Sequence, residues 1–382
     1  MLSQKSLPPH GAPAVRAQTI AKAKEALDTK HIRASSVELT QGSQPSCFPV
    51  SSISMFTRKA VAIVAGTVLG VPFLALSILP YARRPTPKPN RPPPPLPAGV
   101  KRVFTPQGLE LYIARPTSPN ANQNKAPIFL QHGGFGTASV WNEWIAYFAS
   151  KDRTVYALSL SGQFFTSLDS EGDIPVSPDA LVLGHGESPR PKDFNWWGLK
   201  QFGAELKASL DYVQTLDPTA PPPVVVGHSA GGGLSQWTIQ NTDARISGLI
   251  CIGAIPPSGM LRVYKNWFTT DLCVTPRLLW HGGDMKSPLS SPQLVRRAFF
   301  SPQLPEGRLK EFFEYNLNHE ESVTWPLQMM GRYVQPLIVR SKIPKGRVFW
   351  VAGEHDVLVD PVLTKGAAAE YGVDMAVVTG AG

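Results

Sequence analysis

The residues best suited to chemistry lie in one short stretch, Val224-Val225-Val226-Gly227-His228-Ser229-Ala230-Gly231-Gly232-Gly233. Three β-branched residues run into Gly-x-Ser-x-Gly, and small residues follow. That order predicts a buried strand, a very tight turn and a helix. Glycine is needed two residues either side of the serine, where the backbone reverses too sharply for a side chain. Ser229 is then held out at the end of a sheet, beside the free N–H groups and positive dipole end of a helix. A serine so placed can attack a carbonyl carbon. It needs a base to take its proton, a carboxylate to orient the base, and N–H donors for the oxyanion.

The rest of the chain offers two of those three. His132-Gly133-Gly134-Phe135-Gly136 directly follows the apolar run Pro127-Ile128-Phe129-Leu130. Its glycines let main-chain N–H groups approach a substrate, and the Gly134 N–H can sit beside that of Ala230. His132 reads as a buttress of this loop. The carboxylate is best sought after a late strand, where Gly353-Glu354-His355-Asp356 supplies Asp356, with Glu354 and Asp360 as competitors. No His/Cys/Asp/Glu set has metal-ligand spacing. Gly231-Gly232-Gly233 lacks the partner acid of a dinucleotide fingerprint. No cofactor is expected.

Strands must position these groups. Arg102–Thr105 and Leu109–Ala114 read as a hairpin. A helix carrying Val140, Trp141, Trp144, Ile145 and Phe148 separates the strand at 127–130 from another at Thr154–Leu160. The amphipathic helix Gly198–Leu216 precedes the serine strand. Ile246–Ile252, Arg347–Val351 and Met375–Thr379 are further strands. Strands that are apolar throughout and alternate with helices predict an α/β fold, a mostly parallel sheet covered on both faces. Residues 256–345 carry no strand signal and read as a helical lid. Its Trp267, Phe268, Leu278, Leu279, Trp280, Phe299, Phe300, Phe312 and Phe313 are candidates for an acyl pocket or for the lid's own core.

The net charge of +9 is unevenly spread. Residues 1–102 hold 14 Lys/Arg against 3 Asp/Glu, and the remainder holds 23 against 25. The near-neutral body argues against nucleic acid as a partner. Three cysteines, Cys47, Cys251 and Cys273, make no disulfide framework. Residues 1–59 read as a disordered or targeting extension, mitochondrial presequences being one possibility. Residues 60–82 carry no charge and are flanked by Arg58-Lys59 and Arg83-Arg84. This stretch predicts a single membrane anchor, in a mitochondrial or endomembrane setting, or a signal peptide. Residues 83–99, with Pro92-Pro93-Pro94-Pro95, form an extended linker. The globular domain spans 100–382.

The set His132-Gly133-Gly134, Gly227-His228-Ser229-Ala230-Gly231 and Gly353-x-x-Asp356 resembles the α/β-hydrolase superfamily, in particular its lipase- and esterase-like members with a helical lid. The resemblance runs from about Val100 to Gly382. It implies the α/β-hydrolase fold, Ser229 as nucleophile, Asp356 as triad acid, and Gly134 and Ala230 as oxyanion donors. It implies a carboxylic ester substrate, small or lipid-like. Other hydrolytic chemistry on the same triad, or an inactive ligand-binding relative, are the alternatives. Two departures stand out. Gln163–Gly184 separates Ser161-Gly162 from His185-Gly186-Glu187-Ser188, which relatives carry as one segment, so 163–184 reads as an insertion. Second, the family's triad histidine lies in the loop after the last strand, just past where Gly380-Ala381-Gly382 ends this sequence. The chain as given is therefore expected to lack its base and to be nearly inactive, unless His185, His281 or His319, whose segments the sequence does not place, serves instead. His228 is expected to turn away from the site, and His355 to point to the far side of its turn.

Overall fold

The computed structural model describes residues 96–116, 125–162, 188, 191, 193–281, 284–317 and 321–381. Residues 1–59, the expected anchor at 60–82, most of the linker and the insertion 163–184 lie outside the described residues. Among the described residues no helix is long and apolar enough to cross a membrane.

Eight strands form one sheet: β1 Val100–Phe104, β2 Glu110–Ala114, β3 Ile128–Gln131, β4 Val155–Leu158, β5 Val224–His228, β6 Gly248–Ile252, β7 Val348–Gly353 and β8 Met375–Val378. Their order is β1-β2-β4-β3-β5-β6-β7-β8. β2 is antiparallel to both β1 and β4, and every other pair is parallel. The serine strand β5 thus lies inside the sheet, flanked by the strands that lead to the His132 loop and to the lid.

Both faces of these strands are buried, which is why they read as unbroken apolar runs. Phe129, Tyr156, Val225, Leu249, Cys251 and Trp350 enter one core layer, while Ile128, Leu130, Val155, Val224, Val226 and Ile250 enter the other. Helix α1, Asn142–Ala149, covers the second layer with Ile145 and Phe148. Helix α2, Leu199–Leu216, buries Leu199, Phe202, Leu206, Leu210 and Val213 against the first, at the three- and four-residue spacing of one helical face. Helix α3, Ser229–Asn241, follows β5 without a gap.

Between β6 and β7 the chain forms only helices among the described residues: α4 Leu261–Thr270, α5 Val274–Trp280, α6 Pro292–Phe299, α7 Glu306–Glu311, α8 Thr324–Gln328 and α9 Pro336–Ser341. Part of this segment has its own small core of Leu289, Val295, Ala298, Leu309 and Leu317, joined by Phe135 of the His132 loop. Helix α10, Pro361–Tyr371, begins with the Asp360 side chain accepting the Leu363 N–H at 2.8 Å and links β7 to β8.

Ser188 is buried beside the end of β4. Its hydroxyl donates to the Ser159 carbonyl at 2.6 Å and accepts the Glu110 N–H at 2.9 Å. Chain positions 159 and 188 therefore meet at the same strand end, although 160–187 lie between them in sequence.

Candidate active site

The turn at Ser229 is as tight as its glycines require. Ser229 has φ 49°, a left-handed conformation that costs a serine strain and marks many functional turns. A Cβ on Gly231 would stand 1.9 Å from the His132 carbonyl oxygen, and one on Gly227 would stand 2.5 Å from Gly232 Cα. The start of α3 is thus pressed against both β5 and the His132 loop. From the other side, the Ile255 N–H donates to the Ser229 carbonyl at 3.0 Å.

His132 performs the buttressing role expected of it. Its Nε2 accepts the Leu160 N–H at 3.1 Å, which leaves Nδ1 to donate to the Gly133 carbonyl at 2.8 Å. The imidazole is fully buried and committed to the loop. Gly133 lies directly over Ser229, since a Cβ there would come within 2.8 Å of Ser229 Cβ. A Cβ on Gly134 would lie 3.9 Å from that of Ala230. Ala230 is in the first turn of α3, where N–H groups have no intrahelical acceptor. Phe135 follows with φ 59°, a second left-handed residue without glycine's freedom.

Asp356 sits in the turn after β7. One carboxyl oxygen accepts the N–H groups of Leu358 at 3.0 Å and Val359 at 2.9 Å. The other faces Gly253, where a Cβ would come within 3.0 Å. Burial pushes its pKa up to about 6, against the pull of the two N–H donors, and the Asp360 charge adds to the rise. The two competitors are spent elsewhere. Asp360 caps α10 and takes bonds from Asn266 at 2.9 Å and Arg262 at 3.3 Å. Glu354 accepts the Gly380 N–H at 2.8 Å.

Ser229, Gly134, Ala230 and Asp356 all line one cavity of about 870 Å³. Its roof comes from the segment between β6 and β7. Of the aromatic and leucine residues that the sequence offers for an acyl pocket, Trp267, Phe299, Phe300 and Phe312 line it. Phe268, Leu279 and Trp280 are exposed on the outside. Met260, Val263, Tyr264 and Met329 complete a largely apolar wall.

One histidine departs from expectation. His228 does not turn away: its ring faces the cavity, edge-on to Trp141 at 6.4 Å. The absence of a side chain on Gly133 makes room, since a Cβ there would be 3.1 Å from His228 Nδ1. Desolvation by the protein packed around the ring pushes its pKa down to about 4, although the residue stays open to water. His355 borders the same cavity, with its imidazole 3.9 Å from the Glu354 carboxylate and 65% exposed. Among the described residues no histidine hydrogen-bonds Asp356.

One cavity residue has no sequence signal. Glu321, between α7 and α8, is 6% exposed and accepts the Phe135 N–H at 3.0 Å. Burial pushes its pKa up to about 7, against the bonds from Phe135 and Ser322. It belongs to no local motif and meets its partner 186 positions away in sequence. Among the described residues no cluster of His, Cys, Asp and Glu could hold a metal ion.

Comparison with known proteins agrees with this architecture. The profile of the Alpha/beta hydrolase family matches residues 128–382, about two thirds of the chain. Among curated proteins no relative matches. Similar solved structures include a thermophilic esterase from Thermogutta terrifontis, at 16% identity and TM-score 0.50, covering 75% of this chain and 91% of that one. Others are the esterase RhEst1 from Rhodococcus sp., at 15% and 0.48, covering 74% and 91%, and a carboxylesterase of Nitrososphaera gargenis, at 16% and 0.48, covering 74% and 90%. At 16% identity the likeness to the Thermogutta esterase concerns the fold alone, and it is the profile match that assigns the lineage: the chain belongs to the alpha/beta hydrolase family.

Proposed function

We propose that the protein is a serine hydrolase of carboxylic esters with apolar acyl groups. The observation that carries this reading is the shared cavity, onto which Ser229, Gly134, Ala230 and Asp356 all open. Ser229 Oγ attacks the ester carbonyl, and the oxyanion is received by the N–H groups of Gly134 and Ala230. Asp356, anchored by the Leu358 and Val359 N–H groups, orients the imidazole that takes the serine proton. The apolar wall of Met260, Val263, Trp267 and Phe299 suits a hydrocarbon acyl chain, including a lipid-like one. Residues 60–82 hold this domain at a membrane.

Among the described residues no histidine hydrogen-bonds Asp356: His132 is committed to its loop, His281 meets the Ser287 hydroxyl at 2.7 Å, and desolvation pushes the His228 pKa down to about 4. His185 and His319 lie outside the described residues. Added imidazole can take the serine proton where no protein histidine is poised to do so. A fluorophosphonate should therefore label Ser229 slowly in the 382-residue protein and faster as imidazole is raised, with no labelling after Ser229→Ala. Labelling that maps to another residue, or none at any imidazole concentration, would refute the serine mechanism. Brisk p-nitrophenyl butyrate hydrolysis without imidazole, abolished by Ser229→Ala, would place the base within these 382 residues.

A further inference from the structure

The lid touches the oxyanion loop through a carboxyl group. Glu321 Oε2 accepts the Phe135 N–H at 3.0 Å, and Oε1 accepts the Ser322 N–H at 3.0 Å. The Ser322 hydroxyl in turn lies between the carbonyls of Asn195, at 3.2 Å, and Trp197, in the stretch that leads into α2, and its single proton goes to one or is shared between them. The carboxyl is thus braced against the body of the domain as well as the lid.

What it grips is strained. Phe135 holds φ 59°, a conformation that strains a bulky residue and persists only when neighbours enforce it. Its ring is buried in the lid's small core with Leu289 and Val295, so the lid holds both its side chain and its N–H. Phe135 directly follows Gly134. The carboxyl also packs against Gly134 itself, where a Cβ would lie 3.4 Å from Oε2.

We propose that Glu321 is the positioning residue of the oxyanion hole: by accepting the Phe135 N–H it enforces the left-handed turn that aims the Gly134 N–H into the cavity. This rests on the reading of Gly134 as an oxyanion donor. Glu321 acts through the loop and leaves the reacting atoms to Ser229, Gly134 and Ala230. A hole relaxed by as little as 1 Å costs up to about 10²-fold in the step that forms the oxyanion, with little change in how the reagent binds.

The test compares wild type, Glu321→Ala, Glu321→Gln and Glu321→Asp in the 382-residue protein with imidazole present. Two readouts are taken: saturation kinetics of fluorophosphonate labelling at Ser229, and amide hydrogen exchange of the peptide covering 133–137. Glu321→Ala should lower the maximal labelling rate about 10- to 100-fold with the reagent's half-saturation within about threefold. Exchange at 133–137 should quicken while β3 and β5 keep their protection. Glu321→Gln, whose carbonyl oxygen can still accept from Phe135, should recover most of both. Glu321→Asp, one methylene shorter, should behave like alanine and serves in its place if the alanine variant does not fold. Wild-type labelling in Glu321→Ala, or unchanged exchange at 133–137, would overturn the proposal. So would a glutamine variant as slow as alanine with a protected loop, which would make the charge and not the acceptor the working part. If wild type itself fails to label, the serine mechanism falls, and the exchange data alone decide whether Glu321 holds the loop.

Discussion

Glu205 gives a quantitative test of the packing beside β4. It lies on α2 and accepts both the N–H of Ser161, at 3.0 Å, and the Ser161 hydroxyl. Burial raises its pKa from 4.5 to about 7, although the Ser161 bonds pull the other way. In the unfolded chain the carboxyl returns to about 4.5. Below that pH both states are protonated and the fold bears no penalty. Between 4.5 and 7 the folded state binds more protons, so stability falls as pH rises. Above 7 both states are ionised and the cost is complete. A change from 4.5 to about 7 corresponds to roughly 3 kcal/mol, and the residue's partial exposure trims this to about 2 kcal/mol. Glu321 and Asp356 act in the same direction, with pKa values near 7 and 6. His228, lowered to about 4, acts in the opposite direction: the stability from its neutral ring is present above 6.5 and lost as pH falls towards 4. Subtracting a variant isolates Glu205 from these. Urea unfolding followed by tryptophan fluorescence at pH 4.5 and pH 8 should show the wild type gaining about 2 kcal/mol on Glu205→Gln at the lower pH. A difference that stays flat, or grows with pH, would refute the reasoning.

Other outcomes follow from the same geometry. Gly231→Ala would drive a methyl group to 1.9 Å from the His132 carbonyl, so the variant should fail to yield folded protein or melt far below wild type. Gly366→Ala on α10 meets open space and should raise stability by about 0.5–1 kcal/mol, read as a small increase in Tm. Deleting 163–184 should leave the melting transition intact, because Ser188 is already bonded to Ser159, just past the end of β4 and ahead of the deletion. Loss of a cooperative transition would make that segment integral. The full chain should stay with membranes through a carbonate wash, while a chain beginning at Leu96 should be released. Release of both would remove the anchor.

Where the sequence was legible, a local pattern carried the information. Val224–Val226 followed by spaced glycines leaves few structures open, and the strand and the serine turn lie where that pattern puts them. Asp356 could be ranked above Glu354 and Asp360 by its place after β7, yet what separates them physically is tertiary: two N–H donors and burial for one, a helix cap and a surface turn for the others. The individual lid helices could not be delimited, because most run eight residues or fewer and cannot display a helical period. His228 was misread because strand alternation says nothing of the room left by a glycine on a neighbouring loop. Glu321 was missed because its meaning depends wholly on a contact with a distant backbone N–H.

The lid leaves β6 at its cavity end and rejoins the sheet at the start of β7, the adjacent parallel strand. Topologically it is an ordinary strand-to-strand crossover grown long, with α9 packing back onto α3. It is fastened at several points: Ile255 at its entry holds the Ser229 carbonyl, Glu321 holds the Phe135 N–H, and Trp325 and Met329 are buried in the main core. The cavity wall therefore cannot be exchanged as a whole. Descent with modification is free to rewrite Trp267, Phe299 and Phe300, and with them the shape of the cavity, while the anchoring residues keep the crossover tied to the sheet and to the His132 loop.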